Sequence, residues 1–101
     1  MKATIDNFTG TTGQKMFAKD IVNKAIERLA FEIKDATLRI ENRKAAGEKT
    51  EKTERTLAVN KERLTKIEEM LSGKKVSAKK IIEAARKVDH GTLGNTFILD
   101  I

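Results

Sequence analysis

The sequence predicts a mainly α-helical fold: an antiparallel helical hairpin over about 14–45 and 49–72, a short third helix over about 78–89, and short extended or β arms at both termini. Three observations carry this expectation. Val22, Ile26, Leu29, Ile33, Ala36 and Ile40 are spaced 4, 3, 4, 3, 4, an apolar stripe down one side of a helix that wants a second helix against it. Thr53, Leu57, Asn60, Leu64, Ile67 and Leu71 repeat that spacing. Run antiparallel, the stripes pair Ile40 with Thr53, Leu29 with Leu64 and Val22 with Leu71. The turn then falls between Ala46 and Gly47, the one glycine between Gly13 and Gly73.

One unbroken helix is the alternative, since residues 41–56 contain no large apolar side chain. Register counts against it. Continuing the first stripe would put Lys61 and Glu68 on the seam, where the second stripe uses Asn60 and Ile67. A single straight seam cannot serve both patterns, and a hairpin can.

The elements follow in order within a single domain. Residues 1–13 form an N-terminal arm and loop: Ala3 and Ile5 alternate with Thr4 and Asp6, giving a strand or extended arm at about 2–8, then Thr and Gly take over. The stretch from Gly10 to Lys15 precedes a helix, where free N–H groups can hold an anion. Its glycine spacing is too short for a phosphate-binding loop and no Ser or Thr follows Lys15, so a plain loop is expected.

The first helix carries Asp20–Lys24 and Asp35–Arg39 as i,i+4 pairs with the acid first, the favourable order. It also carries a second apolar strip. Phe17 and Leu38 each lie within about 40° of Phe31 on a helical wheel, and Phe31 points roughly 160° away from Ile33. This helix is apolar on two sides, and the side bearing Phe17, Phe31 and Leu38 needs a cover other than the second helix. The second helix has Glu48–Lys52, Glu51–Arg55 and Glu62–Lys66 in support, and Ser72-Gly73 reads as a glycine stop. Asn60 on its seam is either a device that fixes register or a solvated edge residue.

Residues 73–90 form a basic turn and helix, with Ser77 as N-cap, Ile81, Ile82, Ala85 and Val88 as the apolar face, and His90-Gly91 as the end. Residues 91–101 turn extended, with Phe97, Ile98, Leu99 and Ile101 reading as a strand of about 96–101. Two strand-like arms in a helical protein are expected to pair with each other, to add to a neighbour's sheet edge, or to cover the Phe31 side of the first helix.

Composition narrows the function classes. The 101 residues are 39% hydrophobic and 36% charged, a profile of helices with one wet face, and a chain this short builds a thin core, so oligomerisation is expected. There is no cysteine, hence no disulfide or thiolate chemistry. No apolar run approaches a signal peptide or a membrane span, which gives the expectation of a soluble, cytoplasmic protein with no membrane partner.

Catalytic parts are scarce. His90 is the only histidine and suits a helix C-terminus, and Asp89 beside it faces another way. No paired carboxylates and no metal-ligand cluster occur, so the expectation is no enzyme, no metal and no cofactor. Charge does localise. Against a net charge of +6, Lys74, Lys75, Lys79, Lys80, Arg86 and Lys87 stand with only Glu83 and Asp89 over residues 72–90. These six cations are the candidate phosphate or anion-binding residues. The segment SGKKVSAKKIIEAARK loosely resembles the second and third helices of a helix-turn-helix, with residues 92–101 as a wing. Glu69 departs from that pattern where a small residue belongs, and no aromatic interleaves the lysines for base stacking.

Two readings follow. The first is a non-catalytic interaction protein, a small oligomeric helical adaptor, assembly factor or inhibitor with a protein partner, whose contact surface is Phe17, Phe31 and Leu38. In size and style the chain resembles such proteins encoded by phages or mobile elements, a likeness of type that no residue motif carries. The alternative is nucleic-acid binding through the basic helix around Lys74–Lys87.

Overall fold

The computed structural model describes residues 1–86, and their order is a 3-10 turn (Ile5–Asn7), β1 (Phe8–Thr9), α1 (Thr12–Ala45), α2 (Glu51–Ser72), β2 (Val76–Ser77) and α3 (Ala78–Arg86). The expected C-terminal arm, the end of the third helix over 87–89, Lys87 and His90 lie outside the described residues. α1 sets the long dimension: 34 helical residues at about 1.5 Å each account for most of the 53 Å extent.

The hairpin forms as the stripes predict. On α1, Val22, Ile26, Leu29, Ala36 and Ile40 are buried and Ile33 is half-buried; on α2, Asn60 and Ile67 are buried and Thr53, Leu57, Leu64 and Leu71 are half-buried. The reversal is a backbone device. Gly47 takes φ +74°, while Glu48 N–H donates to Arg43 O at 2.8 Å and Gly47 N–H donates to Lys44 O at 3.1 Å. These are the two crossed bonds of a Schellman stop, which satisfies carbonyls that the helix end would otherwise orphan.

α1 begins earlier than its expected start near 14. Thr11 caps it: Gln14 N–H donates to Thr11 Oγ1 at 3.2 Å and Thr11 N–H donates to Gln14 Oε1 at 3.0 Å. This reciprocal box draws Thr12 and Gly13, expected as loop, into the first helical turn, because the cap satisfies two of the N–H groups that a bare start leaves free. Gly10 precedes it at φ +134°, where a Cβ would lie 2.7 Å from Gln14 Oε1. Glycine here gives the cap its room.

The N-terminal arm is only partly a strand. Residues before Phe8 run extended and then through the 3-10 turn, and the arm is stitched down by side chains. Ala3 N–H donates to Asn23 Oδ1 at 2.7 Å, Asn23 Nδ2 returns a bond to Ala3 O at 3.1 Å, and Asn7 Nδ2 donates to Leu71 O at 3.1 Å. The last of these satisfies a carbonyl in the final turn of α2. β1 pairs in parallel with β2, Phe8 beside Val76 and Thr9 beside Ser77, so among the described residues the arm's sheet partner is the stretch before α3.

α2 starts at Glu51 and ends at Ser72, where Gly73 lies at φ −90°. The expected glycine stop is therefore not a left-handed one. The chain leaves α2 extended and runs straight toward β2. Ser77 caps α3 as expected, with Lys80 N–H donating to Ser77 Oγ at 3.4 Å. Of the expected i,i+4 pairs, Asp35–Arg39 forms at 2.8 Å and Glu62–Lys66 at 3.6 Å, whereas Asp20 reaches Lys19 at 3.7 Å in place of Lys24.

The core sits at one end of the hairpin. Ala18, Ile21, Val22, Ala25, Ile26 and Leu29 of α1 pack with Ile67 of α2, Ala78 and Ile81 of α3, and Ala3 and Phe8 of the arm. Two alanines, Ala18 and Ala25, and Ile21 widen the buried face of α1 by about a quarter turn here, which lets α3 lie beside α2 on the same helix. α3 thus covers the flank next to the first stripe. It does not cover the Phe31 side.

Candidate interaction surfaces

The strip on the outer face of α1 is in the open. Phe31 is 69% exposed, Phe17 55% and Leu38 49%, with Met16 also exposed near the start. Helical phase explains it: these residues stand opposite the seam, and the two layers added to α1 occupy the seam and its flank. The strip runs from Phe17 to Leu38, roughly 31 Å, along a helix whose other side is packed in the seam. Its members are separated by polar positions, with Lys24 between Phe17 and Phe31. It is therefore a line of knobs and not a continuous sheet of apolar surface.

The cations expected to bind anions gather around α3, at the base of the hairpin. Lys74 and Lys75 lie in the connection after α2, Lys79 and Lys80 in the first turn of α3, and Arg86 in its last; all five are exposed. None makes an ion pair among the described residues. Arg86 suits the negative end of the helix, but Lys79 and Lys80 sit at its positive end, where a cation is locally unfavourable. Their N–H neighbours and ammonium groups together make a region of concentrated positive potential. Lys87, the sixth member of the set, lies outside the described residues.

A third feature escaped the sequence. Between α1 and α2, toward the turn, a cleft of about 490 Å³ is walled by Ala36, Arg39 and Arg43 on one side and Lys52, Thr53, Thr56 and Asn60 on the other, with Glu32 and Asp35 at its rim. The signal that marks it is in the paired stripes. The antiparallel pairing of the stripes sets Ile40 against Thr53, Ala36 against Leu57 and Ile33 against Asn60, so each pair toward the turn contains a small or polar member, which leaves the seam short of apolar volume there. Arg43 Nη1 bridges the helices, donating to Thr53 Oγ1 at 3.0 Å, and Lys44 meets Glu54 at 3.4 Å just beyond.

Among the described residues no group of three or more His, Cys, Asp or Glu is arranged to hold a metal, and no helix is long and apolar enough to cross a membrane. Compared with protein-family models, with curated proteins and with solved structures, the chain gives no match.

Proposed function

We propose that the chain is a non-catalytic interaction protein: a small oligomeric helical adaptor, assembly factor or inhibitor that acts by binding another macromolecule through the outer face of α1. One observation carries this reading. Phe17, Phe31 and Leu38 stand in one line on a rigid helix, each about half exposed or more. Burying two such side chains at an interface is worth roughly 3–6 kcal/mol, and a helix presenting anchors at fixed spacing is a standard way to enter a groove or pair with another helix. Sedimentation of the wild type and of the double variant Phe31→Glu/Leu38→Glu tests it. A wild type heavier than one chain, with a variant of single-chain mass and unchanged helicity, is the expected result. A wild type of single-chain mass at every concentration, or a variant that unfolds, overturns the reading.

The second reading, nucleic-acid binding, rests on Lys79 and Lys80 at the positive end of α3. Cations kept where the helix dipole opposes them point to a compensating anion, and a polyphosphate backbone is one. It requires an affinity for duplex or single strand that falls steeply with salt and drops when Lys79, Lys80 and Arg86 are neutralised. Absence of any retardation at low salt eliminates it.

A further inference from the structure

The cleft near the hairpin turn is distinct from both surfaces above, and its polar groups are left in a state that calls for a ligand. We propose that it binds a small phosphate monoester, with the phosphate held by Arg43 and Lys52 and the polar body of the ligand against Asn60. This goes beyond the interaction reading and does not depend on it.

Asn60 is the first support. It is only 4% exposed, it lines the cleft, and its carboxamide has no hydrogen-bond partner among the described residues. A buried amide left this way bears a desolvation cost with nothing to offset it, unless water or a ligand group supplies the bond. Asn60 offers two donors and an acceptor to whatever enters.

The charges supply the second support. Five charged residues line the cleft, and three are already committed: Arg28 holds Glu32 at 3.3 Å, and Arg39 holds Asp35 at 2.8 Å. Arg43 and Lys52 remain, with no carboxylate partner among the described residues. The bond from Arg43 Nη1 to Thr53 Oγ1 fixes the guanidinium across the cleft while leaving its other N–H groups to donate, and the Thr53 hydroxyl hydrogen is left to donate as well. Lys52 lies in the first turn of α2, at an exposed position, with Glu51 and Glu54 in the same turn. Two uncompensated cations balance the dianion of a phosphate monoester, where a carboxylate would neutralise only one.

The length of the site selects an ester over free phosphate. Lys52 and Asn60 are two turns apart on α2, roughly 12 Å, more than one phosphate spans. The cleft volume of about 490 Å³ is within the range of sites for small organic ligands.

The test is an NMR titration of the full chain with inorganic phosphate, then with ribose phosphate and a nucleoside monophosphate. The expected result is saturable shifts of the Asn60 side-chain amide and the Arg43 Nε–H, with an ester binding roughly tenfold more tightly than inorganic phosphate. Lys52→Gln, at an exposed position, should weaken all three ligands about tenfold. Asn60→Leu should leave inorganic phosphate unaffected and erase the advantage of the ester. No saturable shift in the cleft overturns the proposal. So do shifts confined to Lys74, Lys75, Lys79 and Lys80, or an undiminished ester advantage in Asn60→Leu.

Discussion

The two ends of the hairpin share one seam and are filled in opposite ways. At the base, Val22, Ile26 and Leu29 close on Ile67 and Leu64, and a third layer of Phe8, Ala78 and Ile81 seals them. Toward the turn, the buried residues are Ala36, Ile40, Thr50 and Asn60, no third layer is added among the described residues, and a cleft opens. Packing energy scales with apolar area and with the absence of voids, so cohesion belongs to the base. The turn end is held by a Schellman stop, one side-chain hydrogen bond and an exposed ion pair. The turn end is therefore the more loosely filled of the two, and it is where the cleft opens.

The largest effect that tests this contrast is a cavity at the base. Phe8 and Leu29 are fully buried, so Phe8→Ala or Leu29→Ala should cost about 3–5 kcal/mol, a large share of the stability of a chain this size. Chemical denaturation reads it directly. A loss of less than about 1 kcal/mol in both would mean that the base is not where the fold is secured.

The contrast also explains how much was legible in the sequence. The hairpin was readable because two stripes with one spacing can share a seam only if the chain reverses, and Gly47 stood alone at the reversal. The phase of Phe31 against Ile33 likewise marked an outer strip that the structure leaves exposed. Three features were harder to see. The start of α1 was hidden because Thr11 and Gln14 form a cap whose two bonds outweigh the loop character of the surrounding Thr and Gly. The partner of the N-terminal arm depended on Asn23 and Asn7 reaching backbone groups 20 and 64 residues away, contacts that no local pattern encodes. The cleft followed from small seam residues, visible only once the two stripes are set side by side.

A second prediction runs in the stabilising direction. Because Asn60 is buried with an unpartnered amide, Asn60→Leu should raise stability by about 1–2 kcal/mol, replacing an uncompensated polar group by one of similar size that fills the seam. A thermal melt checks it. If the variant is destabilised instead, the amide already has a structural partner and the turn end is more fully satisfied than the contrast holds.

Gly47→Ala gives a smaller effect of a different kind. Nothing lies within 4 Å of the position a Cβ would take, so no clash arises. The cost is conformational alone: an alanine held at φ +74° should lose about 1 kcal/mol. Equilibrium unfolding with an unchanged denaturant slope is the expected signature. A loss several times larger would show that the reversal anchors more of the hairpin than its own backbone.

The smallest effect is the most pointed. Lys44 and Glu54 meet across the two helices at 3.4 Å, both largely exposed. A double-mutant cycle with Lys44→Ala and Glu54→Ala should give a coupling of about 0.2–1 kcal/mol, fading as salt is added, because water and ions screen such a pair and ordering two long side chains costs entropy. A coupling well above that range, persisting at high salt, would mean that electrostatics clamps the turn end firmly. The cleft would then lie in a rigid part of the molecule, and the difference between the two ends would be one of chemistry, apolar against ionic, and no longer one of cohesion.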